Sequence, residues 1–288
     1  MRLGKNRSRP SFGRRLTLGE MMIRPFAALR TYTRTKPLEI AENGAAIVQI
    51  LSALESINSA ERKRGGINYW KYVRASTMTE SRLSDFLANE GVIRAALLAR
   101  VLGGLSLISS QKNSVRKYSA CIIVCSQIFT SKYTLNGSDG ADQMAGVIHA
   151  ASVLGRTRGG ENSDLAVGFI GCQIIASYFA SGFAKMFGSE WRNGTAAERV
   201  ARTHSYGDKK LYEMLRSRPE FSRFITHATV VLETFFPLIV ATQWGRALGL
   251  ISMLMFHVAN AHFLGLGRFL VAFAAGYPAV VQVLKSRS

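Results

Sequence analysis

What most limits the folds open to this chain is the separation of its charges from its apolar residues. Residues 1–36 hold ten Lys or Arg and one acid, Glu20, whereas residues 225–284 hold two arginines, Arg246 and Arg268, and one acid, Glu233. A soluble fold mixes the two classes along amphipathic elements. A membrane protein separates them, because a charge at the centre of a helix in hydrocarbon costs about 2.5–3.5 kcal/mol on insertion scales. The separation also reconciles a chain that is 48% hydrophobic with a formal net charge of +19.

From residue 91 onward, apolar stretches near membrane length follow one another. They are 91–108 (GVIRAALLARVLGGLSLI), 118–135, a short and weak 141–155, a strong 164–187, and then 225–244, 247–267 and 269–284. Spans in lipid must be helices, since every backbone polar group has to be satisfied internally. The expected fold is therefore all-α: a polytopic helical membrane bundle of about seven spans, with six to eight reasonable. Small residues such as Gly182, Gly249, Gly265 and Ala272 suit close helix packing. Arg94 and Arg100 of the first stretch must snorkel or face protein.

Residues 1–90 read as a basic cytoplasmic or interfacial region and 91–288 as the transmembrane domain. Within the first, 44–57 has helical spacing, with Ile47, Ile50, Leu51, Leu54 and Ile57 on one face. It is too short and mixed to span, so a surface or interfacial helix is expected. The best apolar run near the start is broken by Arg24 and Pro25, which argues against a signal peptide.

The basic tail favours a cytoplasmic N-terminus and an attraction to anionic membrane lipid. Residues 188–224 carry eight Lys or Arg against five acids. With four spans before it, this loop would also be cytoplasmic, and a misread third span would reverse that. No nucleic-acid partner is expected: there is no helix-turn-helix or zinc signature, and the aromatics lie in apolar runs rather than among the Lys and Arg.

The three cysteines, Cys121, Cys125 and Cys172, form no C-x-x-C and read as small packing residues without a disulfide framework. Five polar residues in or near the apolar stretches are the candidate functional groups, because an ionisable group at membrane depth is expensive. Lys185 is either a snorkelling anchor or a desolvated amine able to act as a base. Glu233 lies nine residues into its span, four before Pro237, which leaves the Glu233 carbonyl without its helical donor and predicts a kink. His257 and Asn260, three apart, are expected to share a polar interior site. His262 lies about 140° around the helix from His257, so the two do not form a ligand pair, and no metal is expected. His149 reads as a packing or hydrogen-bonded histidine.

Three blocks, "SGFAKMFGSEWRNGTA", "ETFFPLIV" and "FHVANAHFLGLGRF", resemble in order and spacing the horizontally transferred transmembrane domain family. Its eukaryotic relatives are the vitamin K-dependent gamma-carboxylases. The resemblance covers about residues 165–275 and implies a bundle of membrane helices. In the carboxylase branch the lysine of the matching block acts beside a bound quinol, which implies that role for Lys185 and a quinol as cofactor. The carboxylases carry a large domain after the helices, which is not expected here because the sequence stops at Ser288 just past its last span, so the likeness is greater to the bacterial SdpB-type branch. That likeness implies a bacterial plasma-membrane protein supporting maturation or export of a secreted antimicrobial peptide, with a small peptide precursor as partner. An interior site of Lys185, Glu233 and His257 is the catalytic expectation. A quinone-dependent enzyme and a non-enzymatic scaffold or immunity protein remain as alternatives.

Overall fold

Helix α1 (Pro37–Ile57) begins at a proline, whose fixed φ suits a first helical position. Its pattern is inverted relative to a soluble helix. Ile47, Leu51 and Leu54 are 43%, 42% and 52% exposed, while Glu42 and Gln49 are fully buried and Ser52 nearly so. An outward aliphatic stripe of this kind suits contact with lipid or with another apolar surface. The helix expected on the surface over 44–57 is therefore an integral member of the bundle, and at least residues 37–57 of the region read as peripheral lie within it.

The computed structural model describes residues 36–57, 60–77, 81–135, 139–157 and 160–285. Residues 1–36 and 37–288 are separate units, and the reading of residues 1–35 as a basic tail lies outside the described residues. A 3-10 turn (Ala60–Arg62) and short helices α2 (Trp70–Thr77) and α3 (Arg82–Leu87) lead to α4 (Glu90–Ser109). Then come α5 (Asn113–Ser131), α6 (Gly140–Gly155) and α7 (Gly160–Phe187). The charged segment folds into α8 (Ser189–Arg192), α9 (Ala196–Ala201) and α10 (Lys209–Ser217), and the chain closes with α11 (Pro219–Ala241), α12 (Gln243–Leu264) and α13 (Gly267–Lys285).

No strand occurs among the described residues. Helices α4, α7, α11, α12 and α13 are long and apolar enough to cross a membrane, which makes this a multi-pass membrane bundle in contact with lipid. Local chemistry sets the helix ends. Asn89, Asp139 and Thr242 accept from the backbone N–H groups of Gly91, Asp142 and Gly245. Gly265, at φ 71°, stops α12 in the left-handed conformation.

The bundle has two halves. In the first, α1, α4, α5 and α6 surround buried Glu42, whose carboxylate accepts from Arg116 (2.6 Å), Arg156 (2.5 Å) and the Ser152 hydroxyl. Arg116 is itself fully buried and also donates to the carbonyls of Leu107 and Ser110. His149 is buried in α6 of this half. In the second half α7 packs on α11 and α13, and α12 packs on the same two, so the four helices close a ring. Helix α13 joins the halves by packing on α1, where a Cβ on Gly44 would stand 2.2 Å from that of Ala275.

The cysteines differ from expectation: all three are exposed on the outer surface rather than packed inside. The side chain of a Cys on a lipid-facing helix is apolar enough to sit there.

Candidate functional site

The site begins with a close approach of two backbones. A Cβ on Gly182 of α7 would lie 2.4 Å from the backbone nitrogen of Thr234 and 2.8 Å from the carbonyl carbon of Glu233, on α11. Only glycine permits that contact. Three residues on, Lys185 turns inward. Its Nζ donates to Glu233 Oε2 at 2.5 Å and to Ser181 Oγ at 2.5 Å. The two charged side chains are 19% and 6% exposed, so Lys185 points into the bundle rather than outward.

The rest of the "GFAKMFGSEWRNGTA" block holds that lysine. Gly188 caps α8, which places Trp191 with its ring centroid 5.1 Å from Lys185 Nζ, a cation–π contact. Gly194, at φ 73°, reverses the chain against α11, where a Cβ would meet Arg223 Cγ at 2.7 Å. Thr226 of α11 then accepts from the backbone of Ala197 at 3.2 Å. Outside the membrane helices, Glu190 is held below the usual carboxylate range first by its own backbone N–H, then by the Ser189 hydroxyl. It pairs with Arg199 at 3.0 Å.

The opposite wall is α12. His257 is 4% exposed, and its Nε2 lies 2.8 Å from the hydroxyl of Tyr178 on α7. That hydroxyl is in turn 3.0 Å from the hydroxyl of Tyr277 on α13. The His257 ring stacks on Phe273, with centroids 5.0 Å apart. Its Nδ1 is buried and has no hydrogen-bond partner among the described residues.

Between these walls lies a cavity of about 490 Å³. Lys185, Glu233, His257 and Asn260 are among its polar groups, with the hydroxyls of Tyr178 and Ser181, and Trp191, Phe256, Phe269 and Phe273 are among its aromatic walls. Leu211, Met214 and Leu215 of α10 form a roof. The roof helix is amphipathic: Leu215 is buried, while Lys209, Lys210 and Arg216 are exposed.

The structure thus brings Lys185, Glu233, His257 and Asn260 to one cavity. His262 is exposed and outside its lining, and His149 lies in the other half. Pro237 sits inside α11, which continues to Ala241. Sequence reasoning missed Tyr178 and Ser181 at the cavity, Tyr277 behind Tyr178, and Glu42 and Arg116 elsewhere. Ser181 was legible as the residue one turn before Lys185, whereas the tyrosines meet His257 only through the ring of helices. Among the described residues no group of three or more His, Cys, Asp or Glu is placed to hold a metal. No family model, no curated protein and no solved structure matches this chain.

Proposed function

We propose that the cavity binds a lipid-soluble molecule with a polar ring, and that the Lys185–Glu233 pair handles a proton at that ring. The observation that carries this is the pair itself. A buried ion pair is a poor stabiliser, often no better than apolar side chains of similar volume. An inward lysine and carboxylate at an otherwise apolar cavity therefore fit chemistry better than packing.

The residues present suit the quinol that the resemblance implies. Phenylalanine rings offer flat apolar walls, and His257 Nδ1 is a buried polar atom without a protein partner. Lys185, His257 and Asn260 would hold its oxygens. When bound, a quinol supplies two electrons and two protons. Lys185 Nζ holds a proton that Glu233 can share, and Ser181 fixes the direction of the amine. Tyr178 and Tyr277 orient His257. The apolar walls and the α10 roof exclude water.

In this reading the chain is a member of the horizontally transferred transmembrane domain family in a bacterial plasma membrane. By its likeness to the SdpB-type branch it supports maturation of a small secreted peptide. The outward aliphatic stripe of α1, and the packing of α5 and α6 between α1, α4 and α7, support counting these three with the five apolar helices, giving eight crossings. Five of them precede residues 188–218, which then lie across the membrane from Pro37. The basic tail keeps the Pro37 end cytoplasmic, so the roof of the cavity faces outward, where a secreted precursor would meet it.

The test is Trp191 fluorescence in nanodiscs, with Trp70 and Trp244 replaced by Phe. A short-chain quinone should quench Trp191 saturably, and Lys185→Ala should weaken that at least tenfold. Quenching that never saturates, or that is unchanged in Lys185→Ala, would dismiss the ligand assignment. Loss of the mature peptide in a cell expressing Lys185→Ala, with its precursor transcript unchanged, tests the maturation role separately.

A further inference from the structure

A second cavity, of about 150 Å³, lies in the other half of the bundle among α1, α4, α5 and the start of α6. Its lining is mixed: Ile93 and Leu97 stand beside polar Ser52, Glu61, Asn68, Gln127 and Asp142, with Arg62 and Arg100 as its two cations. A polar cavity inside a membrane bundle has to hold water or a polar ligand, since lipid cannot enter without stranding these groups.

Arg100 is the unusual member. It lies ten residues beyond Glu90, so its Cα is about 15 Å along the axis of α4, yet it is 5% exposed. Its Nε donates to Ser126 Oγ at 3.2 Å. Its Nη2 donates to the Ser126 carbonyl at 3.0 Å and to the Thr130 hydroxyl. Among the described residues nothing accepts from its Nη1, and Arg100 makes no ion pair.

The neighbouring charges are already engaged. Arg62 holds Glu90 through two nitrogens, each at 3.0 Å. Asp142 accepts from Ser52 at 3.0 Å and from Arg268 at 3.2 Å. Glu61 accepts from Asn68 at 2.9 Å. One edge of the Arg100 guanidinium is therefore fixed to α5, and the other presents a positive charge and N–H donors to the cavity.

We propose that this cavity is a binding site for a small monoanion, the carboxylate of a short organic acid, held by Nη1 of Arg100. A carboxylate is planar and accepts in the plane of a guanidinium. Asp142 and Glu61 on the same lining repel any anion, and a phosphate dianion about twice as strongly as a monoanion, so the smaller charge is favoured. Size suits a small acid: at about 10–15 Å³ of cavity space per water, the cavity of about 150 Å³ has room for about ten waters, enough for acetate with its hydration.

The experiment is thermal unfolding of the full chain in nanodiscs at neutral pH and constant ionic strength, with sodium acetate or formate exchanged for sodium chloride. The melting temperature should rise saturably with carboxylate. The apparent affinity should fall at least tenfold in Arg100→Gln and in Ser56→Leu, which fills the cavity without touching the guanidinium. If Arg100→Gln does not fold, Ser56→Leu decides alone. Equal melting in acetate and chloride, a shift that survives Ser56→Leu, or an equal rise with phosphate would each overturn the proposal.

Discussion

Lys185 and Glu233, 48 residues apart in the chain, share a hydrogen bond of 2.5 Å on the wall of an apolar cavity. Removing one member strands the other. Lys185→Met should destabilise the bundle by about 3–5 kcal/mol, because it leaves a buried carboxylate unpaired. The double variant Lys185→Met/Glu233→Leu should recover most of that loss, since an apolar pair of similar volume is tolerated. Unfolding from mixed micelles in a rising fraction of denaturing detergent gives the comparison. Recovery of stability without recovery of quinone binding would separate the structural role of the pair from its chemical one.

Gly182 is the contact on which that pair depends. Gly182→Ala would place a carbon 2.4 Å from the Thr234 nitrogen, so α7 must move away from α11. A loss of about 1–3 kcal/mol is expected, the usual cost of overpacking. Quinone quenching of Trp191 should weaken with it, because Lys185 moves with α7. Wild-type stability in this variant would mean that the two helices do not approach so closely.

Helix α1 makes a sharper distinction. Spin labels on cysteines at Ile47, Leu51 and Leu54 should be accessible to oxygen, which concentrates in lipid, and shielded from a water-soluble nickel chelate. A label at Gln49 should be shielded from both. Strong nickel access at Ile47 would return α1 to the membrane surface.

The Glu42 cluster carries two arginines on one carboxylate. Glu42→Gln leaves both without a counter-charge, and a loss of about 3–5 kcal/mol is expected. Measured at the same detergent midpoint, a change below about 1 kcal/mol, the value typical of an exposed pair, would show that the cluster is wetter than its burial indicates.

Side assignment is testable with one residue. Tyr206, between α9 and α10, is exposed, and a cysteine there should react with a membrane-impermeant maleimide added to intact cells. Protection from that reagent, with labelling only after lysis, would place the roof in the cytoplasm and reverse the orientation.

The membrane character was legible because charge and apolarity separate along the chain, and that separation needs no partner to interpret. The Lys185 block was legible for a related reason. Its glycines, Trp191 and Lys185 lie within 13 residues of each other, so the Lys185–Trp191 contact is local in sequence. Helix α1 was not legible by the same reasoning. Its aliphatic stripe is what a soluble amphipathic helix also shows, and only the position of its neighbours reveals that the stripe faces outward. For Arg100 the sequence left open whether it reaches the surface or faces protein, because its acceptors, on Ser126 and Thr130, lie on another helix. Nothing in the sequence places the Tyr178 and Tyr277 hydroxyls beside His257, since that cluster exists only once three helices meet.

The inverted pattern of α1 also bears on how the protein is made. Glu42 depends on Arg116 and Arg156, which follow it by 74 and 114 residues, and Gly44 rests on Ala275 near the chain's end. As it leaves the ribosome, the first helix therefore has a carboxylate with no counter-charge and a small-residue face with nothing to receive it. Its stable insertion has to await α5 and α6, and its final packing has to await α13. The earliest segment of the bundle to be synthesised is then among the last to be secured, so a nascent chain stalled before residue 156 should leave α1 open to proteolysis or to a membrane chaperone.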